Sequence, residues 1–429
     1  MKKLLFRSPP VYKVRSMVPT ISRLSLRTAG IILLSFYLFA GVIYSFALPT
    51  EGRFSDEKEY LQLSGNLLHG RGYSMDGVHP TSMRPPGYPL FLTAIEAMGG
   101  GMVAMRIVQY FLFAGTVLLV YRLCPKENRC GGLLIVTGVV MLYPVLFYAS
   151  SSLYPQTLGA FLFMLALNLM LAPARGFILN VLTGLTFGAL VLVIPLLSLT
   201  MIVVLATAWA LKIIRWHDCL LILVGSALLV GVWTARNVVV FDRFVPFSSN
   251  SGENLLIGNC ENTIPYGGAG NIDRTHYAHE AEALGMDEFE EDHYFEQAAI
   301  AWVKQHPRRA FILYLKKAAN YFNVYNAYAP GTYSEVSPWK QIVMGVSYVI
   351  LLALLAWRLA EIKRFPLSPR EKLFLLVYFL SAFTMAIFVT RIRYRLPYDY
   401  LIIAVIAMHL SRRLRLWLEP TPAGSTKSI

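Results

Sequence analysis

Long apolar runs follow one another along most of this chain, and two extended polar segments interrupt them. Runs long enough to span a bilayer fall at about 28–48, 102–121, 131–150, 153–172, 177–196, 197–213, 219–240, 341–358, 372–390 and 396–411. A bilayer core takes about 20 apolar residues as a helix, so the pattern predicts about ten transmembrane helices. Pro155 and Pro195 divide neighbouring runs, each marking a tight turn or a kink inside the membrane. The polar segments 49–100 and 241–340 are too long to be turns and predict two loops with helices of their own. The expected fold is an all-α polytopic membrane protein whose two extracytoplasmic loops carry interfacial helices.

Composition agrees with that class. Of 429 residues, 56% are hydrophobic and 15% charged, which excludes an ordinary soluble domain. The net charge of +14 raises nucleic acid as a partner, but that needs the cations gathered on one soluble face. They follow topology instead. With the N-terminus in the cytoplasm, the inside segments hold 22 of the 39 Lys and Arg but 5 of the 25 acids, while the outside loops hold 12 basic and 19 acidic residues. This positive-inside bias sets the expected orientation, and no nucleic-acid partner is expected. The predicted organisation is a basic cytoplasmic N-terminus (1–27), a first span (28–48), a first outer loop (49–100), a central bundle (101–240), a second outer loop (241–340), C-terminal spans (341–411) and a cytoplasmic tail (412–429). The basic start leads into a long span without a small-residue cleavage site, which predicts an uncleaved anchor. Cys124, Cys130, Cys219 and Cys260 are spread over both sides and imply neither a disulfide framework nor a metal cluster.

Nearly all the water-soluble chemistry therefore sits in the two outer segments. In FSDEKEYLQLSGNLLHGRGYS, Ser55 is placed to cap a helix with Asp56 and Glu57 in its first turn. Tyr60, Leu63 and Leu67 give it an apolar stripe, and Gly70 and Gly72 stop it. Acids in a first turn favour the helix dipole, which by itself accounts for them. Their place just beyond the first span also lets a carboxylate meet a lipid head group. Some thirty residues on, RPPGYPLF sets Arg84 beside a stiff Pro85–Pro86 turn. Arginine suits a phosphate through its planar fork of donors, although an interfacial arginine also snorkels to ordinary lipid phosphates. Arg236 and Asn237 stand at the outer end of the span 219–240, ahead of a Ser/Asn/Gly loop. In RIRYRLPY, Arg391, Arg393 and Arg395 alternate around Tyr394 on the side that positive-inside disfavours. A basic cluster there asks for an anionic partner. In the second loop an amphipathic helix is expected from Phe295, broken at His306–Pro307. His276, His279 and His293 match no closed ligand set, so no metal site is assigned and a divalent cation stays open as a cofactor.

Several of these motifs occur together in one family. Asp56–Glu57 after the first span, then Tyr60, LLHG, GYS and RPPGYPLFL with Tyr88, resemble the first outer loop of the C-type, lipid-phosphate-dependent glycosyltransferases. That superfamily includes the protein O-mannosyltransferases and the lipid A aminoarabinose transferases. VWTARNVVVFDRFVPFSSNSGENLLIGN, with Asn254 and Asn259, is similar to that family's entry into its second outer loop, and TRIRYRLPYDYLIIAVIA to its closing signature. The matches run from about 28 to 410.

The resemblance implies transfer of a hexose or pentose from a polyprenyl-phosphate-linked donor to a glycan, lipid or protein acceptor outside the cytoplasm, within a bacterial inner membrane and among its lipids. The leading acid, Asp56, is then the general base, and Glu57 orients or binds. Arg84, Arg236, Arg393 and Arg395 with Tyr394 hold the lipid phosphate, and Tyr60, Tyr88, Asn237, Asn254 and Asn259 bind substrate. No nucleotide site is needed, and no GxGxxG, P-loop or DxD domain is visible. The chain departs from the pattern at Gln156, where many relatives carry an acid, and at Ile194, where many carry an arginine before the proline. Three alternatives stay open: an O-antigen-ligase-like transferase using a diphosphate-linked donor, a secondary transporter, which should show inverted repeats and broken polar helices at mid-membrane, and a non-catalytic envelope-assembly protein, which should tolerate loss of the carboxylate.

Overall fold

The structure is a computed structural model that describes residues 23–125, 131–265, 274–324 and 338–418. Most of the basic N-terminus, Cys130 and the tail from residue 419 lie outside the described residues. Within them every regular element is a helix. The first loop follows α1 (Arg23–Ala47) and contains α2 (Ser55–Leu68) and α3 (Gly87–Ala97). The central bundle comprises α4 (Met102–Leu123), α5 (Gly132–Met141), α6 (Val145–Ser151), α7 (Gln156–Met170), α8 (Phe177–Val193), α9 (Leu197–Ala210) and α10 (Trp216–Phe241). The second loop holds α11 (Ser251–Gly258), α12 (Arg274–Ala283), α13 (Glu288–Gln305) and α14 (Pro307–Asn320), and the chain closes with α15 (Pro338–Ala360), α16 (Pro369–Met385) and α17 (Ile392–Leu418).

Each of the ten apolar runs is helical, but four helices, α1, α4, α10 and α15, are long and apolar enough to cross a membrane alone. A fifth crossing forms if α5 and α6, bent by 77° at Leu142–Pro144, count as one. Pro144 and Pro155 each stand at the N-terminal cap of a helix, α6 and α7, where a missing N–H costs nothing. Helices α7, α8 and α9 have 15, 17 and 14 residues, shorter than a core about 30 Å thick requires at about 1.5 Å per residue.

Helix α17 is the axis of the bundle. Leu401, Ile402, Ile403, Ala404 and Val405 are all fully buried, so it is apolar all round, as a central helix must be. The outer helices turn apolar faces outward instead: Phe36 and Phe39 on α1, and Leu228 and Val232 on α10, are exposed, as a lipid-facing surface requires. Helices α8 and α10 meet through glycines. A Cβ on Gly184 would lie 2.8 Å from Gly225 Cα, and one on Gly225 would lie 2.7 Å from Val181 O. Small residues let membrane helices approach this closely.

At the end of the bundle opposite the two loops, Arg358 lies 2.8 Å from buried Glu371, whose other carboxylate oxygen accepts from Ser368 N. Arg370 donates to Leu123 O and Leu171 O at the C-terminal ends of α4 and α7, where the helix dipole favours a cation.

Candidate functional site

Helix α2 starts one residue earlier than the expected cap. Phe54 is the N-cap, with extended backbone and no side-chain cap bond, and Ser55 is the first helical residue. Glu57 instead ties down the chain ahead of the helix, its Oε2 accepting from Arg53 N at 2.6 Å. The helix ends at His69, and Gly70 and Gly72 follow at φ +72° and +76°, a region that favours glycine.

This register divides the acid pair. Consecutive helical residues point about 100° apart, and Asp56 and Glu57 face different surroundings. Glu57 is fully buried. Its Oε1 accepts from Leu153 N at 2.8 Å and lies 3.7 Å from Arg53 Nη2, which donates in turn to Ser151 O. It joins α2 to the junction of α6 and α7 and does not line the cavity described next.

Asp56 points the other way, into a cavity of about 320 Å³ bounded by α2, α7, α8, α11 and the start of α17. Arg393 Nη1 donates to Asp56 Oδ2 at 2.9 Å, and Arg84 Nη2 donates to Oδ1 at 3.4 Å. Arg84 Nε also donates to Glu59 Oε2 at 2.7 Å. Aromatic faces frame both guanidinium groups. Arg393 lies 4.7 Å from the Tyr154 ring centre and 5.0 Å from that of Tyr394, and Arg84 lies 5.8 Å from that of Tyr60. Burial pushes the Asp56 carboxyl up, but Arg393 and Arg84 outweigh it and hold the group below its ordinary value. Two cations thus converge on one carboxylate at the polar end of the cavity. Val193, Ile194, Pro195, Leu196 and Leu199 make the opposite wall apolar, and Asn254 with Asn250 reaches in from α11.

Of the residues singled out in the sequence, Asp56, Tyr60, Arg84, Asn254, Arg393 and Tyr394 line this one cavity. The others lie behind its walls. Tyr88 is buried, donates to Gln109 Oε1 and packs edge-on against Tyr60. Arg236 donates to Thr81 O and to Asn237 Oδ1, with its guanidinium about 5 Å from the Trp233 and Phe241 rings. Asn237 donates to Val245 O, and Asn259 to Leu255 O and Ile387 O. Arg395 points into the bundle, 3.2 Å from Asp399, and donates to Tyr321 O and Tyr143 Oη. These five, like Glu57, bond to backbone and to neighbouring side chains and do not line this cavity.

The two loops are joined directly. Glu288, in the first turn of α13, accepts from Ser82 N at 2.8 Å and from the hydroxyls of Thr81 and Ser249. The break at His306 falls where the sequence predicts, with Pro307 opening α14, but α13 starts at Glu288, before the expected Phe295, because Asp287 caps it in a reciprocal box with Glu290. His279 and His293 lie exposed beside Glu282 and Glu296.

Among the lining positions, Tyr154 and Asn250 escaped the sequence-level choice, whereas Gln156 was marked only as a departure from the family pattern. Tyr154 and Gln156 flank Pro155 in what reads as a simple turn, and Asn250 precedes α11. Glu59, the partner of Arg84, carried a usable signal, since it stands three residues after Asp56 and so shares its helix face.

No family model matches the chain, and no curated protein does. Two solved structures resemble it. Crystal structures of ArnT from Cupriavidus metallidurans align with it at a TM-score of 0.43 and 14% identity when bound to undecaprenyl phosphate, over 90% of this chain and 79% of that one, and at 0.40 and 12% in the apo state, over 89% and 78%.

Proposed function

We propose that this protein is a membrane glycosyltransferase that moves a hexose or pentose from a polyprenyl-phosphate-linked donor to a glycan, lipid or protein acceptor. The observation that carries this reading is the Asp56 carboxylate held between Arg84 and Arg393 at the polar end of an otherwise apolar cavity. A lipid phosphate needs both features, a cationic seat for the head and an apolar wall for the chain.

Asp56 occupies the seat that an anion would compete for. When a donor phosphate takes the Arg84 and Arg393 donors, Asp56 loses the charges that depress its basicity. The carboxylate is then able to accept the proton of an acceptor hydroxyl or amine. The acceptor attacks the anomeric carbon, the bond from that carbon to the phosphate oxygen breaks, and the electron pair leaves on the phosphate. Arg84 and Arg393 balance the charge that develops there. Tyr60 and Tyr394 hold the guanidinium planes, and Asn254 offers both a donor and an acceptor to a sugar hydroxyl. Glu57, Tyr88, Arg236, Asn237, Asn259 and Arg395 fix the walls. The positive-inside bias supports a cavity that opens on the extracytoplasmic face, and the membrane in this reading is a bacterial plasma membrane.

The test is binding and turnover in purified protein with a radiolabelled polyprenyl-phosphate sugar, beside a polyprenyl-diphosphate sugar. The monophosphate donor is expected to bind and turn over, and Asp56→Asn to bind it without turnover. Use of the diphosphate donor alone moves the protein to the ligase-like class, and binding of neither removes the transferase reading.

A further inference from the structure

Behind the cavity, Lys317 on α14 plays no part in the transfer chemistry, yet it is 1% exposed. Its Nζ donates to Gly258 O at 2.8 Å, Phe388 O at 2.9 Å, Asn259 Oδ1 at 3.1 Å and Ile387 O at 3.4 Å. These four oxygens belong to two different walls. Gly258 and Asn259 stand at the C-terminal end of α11, whose beginning brings Asn250 and Asn254 to the cavity. Ile387 and Phe388 lie in the turn between α16 and α17, where Phe388 and Val389 line the cavity and Arg393 follows within one helical turn of Val389. Neighbouring bonds repeat the link. Asn259 Nδ2 donates to Ile387 O at 2.9 Å, Asn320 Nδ2 to Thr390 O at 3.0 Å, and Thr390 Oγ1 to Lys317 O at 3.0 Å. A Cβ on Gly258 would overlap Phe388 O, so only glycine lets the two backbones come this close.

We propose that Lys317 is a positioning residue that staples α11 to the 386–391 turn, sets Arg393 against Asp56, and makes the site responsive to pH. The staple itself is independent of which ligand the cavity takes; its effect on donor binding rests on the transferase reading above.

An ammonium has three N–H groups for these four oxygens, whereas a neutral amine has two and points a lone pair at the remaining acceptors. Burial pulls the Lys317 pKa down to about 7, which puts the change of charge near neutrality. No charged side chain among the described residues bonds to it. Neutral Asn259 faces it from α11, and neutral Thr390 and Asn320 border it from the turn and from α14. Arg391 is buried within electrostatic range of Tyr394, Arg393 and Asp56, Glu261 accepts from Tyr277 through its carboxylate, and Lys316 lies on the exposed face of α14.

The experiment uses the full chain in lipid nanodiscs. Hydrogen exchange of peptides covering 251–259 and 386–394 is compared at pH 6 and pH 8, corrected for intrinsic rates, in the wild type, Lys317→Met and Lys317→Arg. Exchange in both peptides should rise several-fold in Lys317→Met at either pH, and in the wild type only at pH 8. Lys317→Arg, charged throughout, should show no pH step. Binding of farnesyl phosphate, whose own titration is common to all three proteins, should weaken about tenfold from pH 6 to pH 8 in the wild type relative to Lys317→Arg, as a group with a pKa near 7 requires. Unchanged exchange in Lys317→Met, or a wild type that matches Lys317→Arg at both pH values, overturns the proposal. Exchange as expected without any farnesyl phosphate binding leaves the staple standing and removes the donor reading instead.

Discussion

Arg393 and Asp56, 337 residues apart in the chain, meet at 2.9 Å, so the first loop and the last helix close on each other through one ion pair. Both side chains are mostly buried. Removing either partner therefore strands a charge, and the two kinds of variant should differ in what they lose.

Asp56→Asn keeps the shape and one acceptor oxygen but cannot take a proton at neutral pH. Turnover is expected to fall about 10²–10⁴-fold, the usual contribution of a general base, with donor binding retained. Measured kcat at matched protein level checks this, and turnover near the parental value removes Asp56 from the mechanism. The sign of its pH effect follows from its lowered pKa. The pair stabilises the fold fully above the ordinary carboxyl value of 3.8 and loses that contribution as pH falls through the lower folded value.

Arg84 and Arg393 should respond to side-chain geometry as well as to charge. Alanine at either position is expected to weaken donor binding by about 1.5–3 kcal/mol, roughly one to two orders of magnitude, and lysine to be intermediate because it lacks the planar fork. Lys363→Ala, exposed at the opposite end of the bundle, should be silent. A donor titration that ranks Arg84→Ala and Arg393→Ala with Lys363→Ala excludes the pair as the phosphate seat.

Glu57→Gln tests the division of the acid pair. The buried carboxylate accepts from Leu153 N and Arg53 N, so neutralising it should cost about 1.5–3 kcal/mol of stability. Turnover per folded molecule should change little. Thermal unfolding in detergent, with kcat normalised to folded protein, separates this outcome from the loss expected of Asp56→Asn.

Gly184→Val drives a branched side chain into the backbone of α10 at Ile222 and Gly225. Parting the helices also breaks the buried bond from Asn180 on α8 to Asp218 on α10, so folding itself should fail. Size-exclusion chromatography is expected to show aggregate where the wild type runs as a single peak, and a monodisperse Gly184→Val would show that the α8–α10 contact tolerates separation.

How far the sequence discloses this site depends on how local each signal is. The apolar runs and the break at His306–Pro307 are written in neighbouring residues, and they are legible. The convergence of Asp56, Arg84 and Arg393 was legible only in part, through the conspicuous placement of charges next to spans and prolines. The inward turn of Arg395 was not, because its partners Tyr143 and Tyr321 lie 252 and 74 residues away. Arg393 and Arg395 differ by two positions, about 200° around a helix, and an alternation of arginines does not say which of them faces the cavity. Glu57 was hidden for the same reason, since its partner is a backbone amide 96 residues on.

Orientation is open to a direct check. Cysteines at Val78 and Leu284, both exposed, should react with an impermeant reagent added to intact cells, and one at Lys363 should react only after lysis. Reaction of Val78 and Leu284 from opposite sides would separate two loops that Glu288 binds together through Ser82.

The register of α2 also constrains how this loop can vary in length. With Asp56 turned to the cavity and Glu57 to the bundle, a single residue inserted between Arg53 and Asp56 rotates the pair by about 100° relative to everything before it. The two carboxylates then exchange partners or lose them. Length changes should therefore be tolerated at the exposed turn around Val78 and rejected between Arg53 and Tyr60, so a library of random insertions would map this short stretch as the most length-intolerant part of the polar surface.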